Sequence, residues 1–374
     1  MMKRIVFFIL CVVISFSTLL SSPIINPIYN EPVEVVKCST FSIKDFFKNL
    51  FSKNKDINAD NYKPVEVFLG GRPLGFTISC EGVIVVAISN VMTENGTRKP
   101  TKNSDIKEGD ILLEIAGEQI TSAADINEII NKDENKNKNL EVLIERGDRR
   151  FKTTIYPELD KISQSYKLGL WIRDNAAGVG TLTYIRADNN RFGALGHPVC
   201  DIDTGAKMNI NQGKIFNCNI VGVTRGKRGI PGELRGMFLK SGSEVGSLDK
   251  NCEVGVFGDF QLKDSKFSNK KILTMSKDKV KTGKAQIYCT IDGTTPDFYD
   301  VEIVKINYQG QNNKKNMVIR VVDERLIEKT GGIVQGMSGS PIVQDGKLVG
   351  AMTHVFVNDP TKGFAVYIDY MINN

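Results

Sequence analysis

One serine and two histidines carry the chemistry that stands out in this chain of 374 residues. Ser338 sits in Gly336-Met337-Ser338-Gly339-Ser340-Pro341, with a glycine two residues before it and another directly after it. Glycine accepts backbone conformations closed to other residues, so this stretch can make a tight turn that exposes a hydroxyl. A serine hydroxyl is a weak nucleophile until a neighbouring base takes its proton, and imidazole is the usual base. His197, in FGALGHPVCDIDTG, is one candidate; His354, in LVGAMTHVFV, is the other. A third group must hold the imidazole in the right tautomer and stabilise its cation. Asp323, in RVVDERLIEKTGG, and Asp201 or Asp203 close to His197 are the candidate carboxylates. The competing reading is a turn serine and two packed histidines. Ser340 reads as a turn residue, because Pro341 follows it directly.

The elements that must position these groups are mainly β. From Gly169 onward, short apolar runs alternate with glycine turns over about 200 residues, enough for two small barrels or one large sandwich. Residues 62–160 read differently: strands broken by glycines, the helix SAADINEIINK capped by Ser122 with Asp125 in its first turn, and a hairpin turning at Gly147-Asp148. Residues 161–166 form a linker to a second domain at 167–374. At the start, Lys3 and Arg4 precede an uncharged apolar run from Ile5 to Leu20. A basic start followed by such a run reads as a secretory signal or membrane anchor over residues 1–22, with the rest of the chain exported. Residues 23–61 form a tether. Within it, SIKDFFKNLFSKNK places Ile43, Phe46, Phe47, Leu50 and Phe51 at helical spacing, a basic amphipathic helix for the membrane surface or the following domain.

Composition excludes some classes. The net charge is +6, but lysines are scattered among acidic residues and no basic stripe with aromatics appears, which argues against nucleic-acid binding. The seven cysteines form no CxxC pair, so neither a zinc site nor a disulfide scaffold is indicated; buried thiols are expected, with a disulfide or two left open. No residue set suggests a metal or cofactor.

Several stretches carry resemblances. Glu108-Gly109-Asp110-Ile111-Leu112 with Ile115-Ala116-Gly117 is similar to a conserved turn and strand of PDZ domains, which makes 62–160 an α+β PDZ domain. Pro73-Leu74-Gly75-Phe76 resembles their carboxylate-binding loop. That implies that Leu74, Gly75 and Phe76 face a peptide C-terminus, or a segment of the chain itself, added as an extra strand. GMSGSP resembles the nucleophile loop of chymotrypsin-like serine peptidases, whose fold is a double β-barrel, and the order His197, Asp323, Ser338 matches theirs. The resemblance implies an oxyanion hole from the backbone N–H groups of Gly336 and Ser338, and a substrate-lining strand at Thr353, His354 and Val355. Met337 stands where the trypsin group has the aspartate that pairs with a newly cut N-terminus, so activation here does not use that salt bridge.

AAGVGTLTY, FGALGH, EKTGGIVQGMSGSPI and THVFVNDPTKGFAVYI together resemble the stage IV sporulation protein B peptidase family. This implies a serine endopeptidase without cofactor, with Ser338 as nucleophile, His197 as general base and Asp323, or failing it Asp203, as third member. It further implies action between the two forespore membranes on the peptidase itself and on a membrane-bound sporulation signalling complex. That cleavage leads to intramembrane proteolytic activation of the late mother-cell sigma factor. The alternative is a catalytically inactive PDZ and barrel protein that signals by docking.

Overall fold

The computed structural model describes residues 62–238, 244–262, 271–307 and 315–374. The expected membrane segment at 1–22 and the tether with its helix at 23–61 lie outside the described residues. Among the described residues no helix is long and apolar enough to cross a membrane.

Mainly β structure follows from period-two alternation, which sends successive side chains to opposite faces of a strand. The chain begins with β1 (Glu66–Leu69), β2 (Pro73–Ile88), β3 (Val91–Thr93), β4 (Gly96–Arg98), β5 (Ile111–Ile115) and β6 (Glu118–Gln119). Helix α1 (Ala123–Asn131) follows, then β7 (Leu140–Arg146), β8 (Arg149–Ile155), β9 (Glu158–Asp160) and β10 (Ser165–Lys167). Next come β11 (Leu170–Arg186), β12 (Arg191–Ala194), β13 (Ile210–Asn217), β14 (Asn219–Thr224), β15 (Glu233–Met237), β16 (Glu244–Cys252), β17 (Gly255–Phe260) and β18 (Lys271–Leu273). The last part holds β19 (Gly283–Cys289), β20 (Asp297–Ile306), β21 (Met317–Val321), α2 (Glu324–Thr330), β22 (Pro341–Gln344), β23 (Lys347–Phe356), β24 (Asp359–Tyr367) and the single turn α3 (Ile368–Met371).

These strands close two rings of six. One runs β19-β20-β21-β24-β23-β22. Its core takes the inward residues of each strand, among them Ile287, Val301, Ile319 and Met352. The other follows β2-β11-β12-β17-β16-β13 and closes where β13 returns to β2. Leu74, Phe76, Ile78, Leu182, Phe192 and Ile215 fill it.

The ring closes because β2 and β11 are long, 16 and 17 residues, and pair along most of their length, from Leu170↔Ile88 to Thr181↔Pro73. Their far halves leave the ring. There β2 pairs with β5, and β5 with β7 and β8, into an α+β unit whose own core holds Val83, Leu112, Ile115, Ile129 and Val142. The helix expected after Ser122 forms as α1, started by a reciprocal cap: Ser122 Oγ accepts the Asp125 N–H, and the Asp125 carboxylate accepts the Ser122 N–H. The hairpin expected at Gly147-Asp148 joins β7 to β8.

Two sequence expectations need correction. Leu74, Gly75 and Phe76 are not a carboxylate-binding loop. They lie inside β2, paired on both edges with β11 and β13, and Leu74 and Phe76 are buried in the ring's core. Their main chain belongs to sheet ladders and has no N–H row to offer a ligand. Nor do residues 62–160 and 167–374 form consecutive domains. β1 pairs with β11, and the first half of β2 is a ring strand, so the α+β unit is inserted within the first ring.

Cys80, Cys218 and Cys289 are buried thiols. Burial pushes the first two up to about 11, which leaves them protonated and inert at neutral pH.

Candidate active site

Ser338 lies in the turn between α2 and β22, bracketed by Gly336 and Gly339, each at φ +93°. Two features hold this turn rigid. Met337, fully buried, is anchored in the core of the second ring. Ser340, also buried, donates its hydroxyl to Met337 O at 2.6 Å and is the turn residue expected. A methionine at 337 is thus a packing anchor, which an aspartate there would not be.

From the first ring, β11 supports the turn through two buried threonines. Thr181 Oγ1 donates to Gly336 O at 2.8 Å, Thr183 Oγ1 donates to Gly339 O at 2.7 Å, and Thr181 N–H donates to Ser338 O at 3.0 Å. Sequence reasoning missed both, because a threonine within a strand has no motif of its own; only their place in AAGVGTLTY marked them.

The hydrogen bonds of the turn divide by function. Met337 N–H goes to Val334 O, Gly339 N–H to Met352 O and Ser340 N–H to Met337 O. The N–H groups of Gly336 and Ser338 donate to no carbonyl among the described residues. An N–H pair left over at a serine turn is what an oxyanion would need. The Ser338 hydroxyl donates to Thr353 O at 2.8 Å. A hydroxyl has one proton, so in this conformation it points to β23 and not to an imidazole.

His197 reaches the same place from β12. Leu195 (φ +67°) and Gly196 (φ +71°) are consecutive left-handed residues that turn the chain out of the ring. A leucine in that region carries strain of about 1–2 kcal/mol. It is held there by burial and by its N–H bond to Thr181 O at 3.3 Å. The next residue seats the loop on β23: a Cβ on Gly196 would stand 3.0 Å from Thr353 Cγ2 and 3.2 Å from Met352 O. His197 Nδ1 lies 2.9 Å from Pro198 O. A carbonyl only accepts, so Nδ1 carries the hydrogen, and in the neutral ring Nε2 is the lone-pair nitrogen. The ring of His354 stands beside it, centroids 5.0 Å apart and planes at 40°. Thr353, His354 and Val355 lie on β23 past its pairing with β22, where β24 is the neighbouring strand.

Asp323 is placed differently from the expectation. It caps α2, Oδ1 accepting Arg325 N–H at 3.0 Å, while Oδ2 accepts Asp300 N–H at 3.2 Å and pairs with Arg325 Nη2 at 2.9 Å. Its carboxylate is thus engaged by α2 and β20. Arg325 above all, with these N–H groups, holds Asp323 below the usual carboxylate range against the opposing effect of burial. Because the folded value is lowered, this stabilisation is present above the unfolded value near 4 and is lost as pH falls through the folded one. Asp323→Ala is expected to cost about 1 kcal/mol as a lost cap, read by thermal melting at neutral pH, with a smaller difference in acid. Asp323→Asn keeps an N-cap and is expected to keep peptidase activity within tenfold. A fall of about 10⁴-fold would return Asp323 to the triad. The fallback acids are also engaged: Arg173 pairs with both Asp201 and Asp203. Burial alone would raise Asp201, but Thr204 and Arg173 outweigh it and hold it low. Among the described residues no cluster of three or more His, Cys, Asp or Glu could hold a metal ion.

A glycine-bracketed serine, an imidazole oriented through Nδ1 and two spare N–H groups at one turn are the equipment of a serine peptidase. The chain belongs to the family described as SpoIVB peptidase S55, whose model matches residues 164–372. The match begins at residue 164, so β1, β2 and most of the inserted unit fall outside it. Among solved structures, the chain is similar to the inactive form of the Rv3671c protease: 12% identity, TM-score 0.29, covering 52% of this chain and 81% of that one. A serine-to-alanine mutant of Rv3671c from M. tuberculosis H37Rv, also inactive, matches at 13% identity and TM-score 0.27, covering 52% and 78%. No curated protein matches.

Proposed function

We propose that this serine peptidase has a chymotrypsin-like arrangement, with His197 from the first ring as general base and Ser338 from the second as nucleophile. The observation that carries the assignment is the pair of spare N–H groups at Gly336 and Ser338. Ser338 Oγ swings from Thr353 O and bonds to a peptide carbonyl carbon while its proton passes to His197 Nε2. The carbonyl oxygen takes the negative charge and is met by those N–H groups, each worth about 3–4 kcal/mol in such sites. The C–N bond then breaks as His197 returns the proton to the leaving amine. Water repeats the sequence on the acyl-enzyme. The substrate runs extended along Thr353, His354 and Val355. Pro198 O fixes the imidazole tautomer, a task a carboxylate usually has.

The family points to the biological setting: export from the forespore by the N-terminal segment, self-cleavage, and cleavage of a membrane-bound regulatory partner between the two forespore membranes that releases the late mother-cell sigma factor. The docking-only alternative gives way, since a dead barrel has no use for a spare N–H pair at its serine. In sporulating cells, Ser338→Ala is expected to leave the chain and its membrane-bound partner uncut and late mother-cell transcription off. Self-cleavage at the wild-type rate in that variant would contradict the proposal.

A further inference from the structure

The loop that follows His197 rests on the inserted unit. Residues 198–209 run from the histidine back to β13 as a small hairpin. In it Met208 N–H donates to Val199 O at 3.2 Å, Asp201 N–H donates to Ala206 O at 2.8 Å, and Cys200 bridges to Lys207. Val199, Ala206 and Met208 share an apolar cluster with Ile84, Ile111 and Leu113, from the far half of β2 and from β5. A lone two-stranded hairpin is marginally stable in water, so its orientation is set by what it is fastened to.

Two fastenings stand at opposite ends of this hairpin. At its base is Asn251, on β16 of the first ring. Its Oδ1 accepts Val199 N–H at 2.9 Å, and its Nδ2 donates to Val199 O at 2.8 Å and to Met208 O at 2.9 Å. At the tip is Asp201, whose side chain is fully buried. Its Oδ1 accepts Asp203 N–H at 3.2 Å, Thr204 N–H at 2.9 Å and the Thr204 hydroxyl at 2.8 Å, which closes the turn. Its other oxygen pairs with Arg173 Nη1, and Arg173 Nη2 reaches Asp203 Oδ2 at 2.7 Å. Arg173 lies opposite Ile84, in the half of β11 that belongs to the inserted unit. The tip is thus gripped from that unit by a planar fork that spans two carboxylates. Just beyond the tip, Asn209 Nδ2 donates to Glu145 Oε1 on β7 at 2.6 Å.

The inserted unit holds a second pair of the same make. Arg146 Nε bonds Asp110 Oδ1 at 2.6 Å, and its Nη1 reaches Asp105 Oδ2 at 3.2 Å. Both arginine side chains are 32% exposed, and their inner partners are 0% for Asp201 and 1% for Asp110. The two pairs differ in what they join. Arg146 joins β7 to the turn before β5, within the inserted unit. Arg173 joins that unit to the stretch of chain that carries His197.

We infer that Arg173 is a positioning residue for His197, setting the direction of the imidazole through Asp201 and the hairpin 198–209. The inference rests on His197 as the general base. On its amino side the chain is bent at Leu195 and Gly196, so the segment on its carboxyl side decides where the ring comes to rest. Pro198, whose carbonyl faces Nδ1, is the first residue of that segment. A shift at the tip is carried back to Pro198 because the hairpin between them is hydrogen-bonded as one piece. The inserted unit is then part of the support of the base.

The test compares the two arginines in the full-length chain, in detergent micelles, with casein as substrate. Arg173→Ala and Arg146→Ala each leave a buried aspartate without its cation and are expected to lower the melting temperature by similar amounts. Arg173→Ala alone is expected to lower kcat, by about a hundredfold with KM held within about threefold, the mark of a displaced reacting group and not of lost substrate binding. Arg173→Lys keeps the charge but not the fork, and is expected to recover about tenfold of that loss. Should either alanine variant fail to melt cooperatively, the comparison passes to Arg173→Lys and Arg146→Lys, of which only the first is expected to lower kcat. Equal kcat for the paired variants, or a loss at Arg173 carried wholly by KM, would overturn the inference. His197→Ala is assayed alongside: wild-type activity there would overturn the general-base reading itself, and the inference with it.

Discussion

His197→Ala is expected to lower kcat/KM for casein hydrolysis by about 10⁴–10⁶-fold, the range seen when a member of a catalytic triad is removed. The melting temperature is expected to fall far less than the activity, because Nδ1 bonds only as far as the carbonyl of the next residue, Pro198. The reason to place the base at 197 lies in the backbone. Two successive left-handed residues, one of them a leucine, are a conformation that a core has no need to build, and strain of this kind gathers at functional sites. Here it delivers an imidazole with Nε2 as its lone-pair nitrogen against the strand that carries Thr353. His354→Ala should cost far less, since that residue lies on the substrate strand. If His354→Ala shows the greater loss, the two histidines exchange roles.

Gly339→Ala is expected to be the most damaging single methyl group in the molecule's active site. A Cβ at 339 would stand 2.1 Å from Thr181 O and 2.4 Å from Leu195 N, with φ at +93°. Both neighbours are backbone, and neither can move alone: Thr181 supports the nucleophile turn and Leu195 aims His197. One methyl group therefore pushes apart the two rings where the Ser338 turn packs on Thr181 and Leu195. The expected result is a loss of about 3 kcal/mol or more in stability and at least a hundredfold in kcat, the penalty for a misplacement of about 1 Å in a reacting group. Gly346→Ala is the control. That glycine has φ +72° in the β22–β23 turn and nothing within 4 Å of its Cβ position. It should lose about 1 kcal/mol from strain alone and keep full activity. Equal effects at the two positions would mean that contact at Gly339 plays no part.

These arguments show what could be read from residue order and what could not. The nucleophile turn was legible because its needs are local: glycines on either side of Ser338 and a proline after Ser340. The convergence of His197 and His354 was partly legible, because a serine peptidase needs a base and the chain has only two histidines. The third member was not. Asp323 has the right order in the chain, but an aspartate directly before a helix is also an N-cap, and Arg325 two residues on completes that role. Sequence distance does not distinguish the two. The first ring was misread for a different reason. β2 crosses from the ring into the inserted unit without a break, and Gly75 and Gly82 within it look like loop residues. Gly75 is instead where the Phe238 ring packs on the strand, only 2.2 Å from where a Cβ would be. The support from Thr181 and Thr183 spans some 155 residues of chain and leaves no local pattern.

The central claim is that Ser338 is the nucleophile, and it is tested most directly by covalent capture. The full-length chain is treated with a fluorophosphonate, and the labelled residue is located by peptide mass spectrometry. The expected result is a single phosphonylated residue, Ser338, with labelling abolished by Ser338→Ala and strongly reduced by His197→Ala. Labelling at Ser340 or elsewhere, or none in a chain that melts cooperatively and cleaves itself, would contradict it.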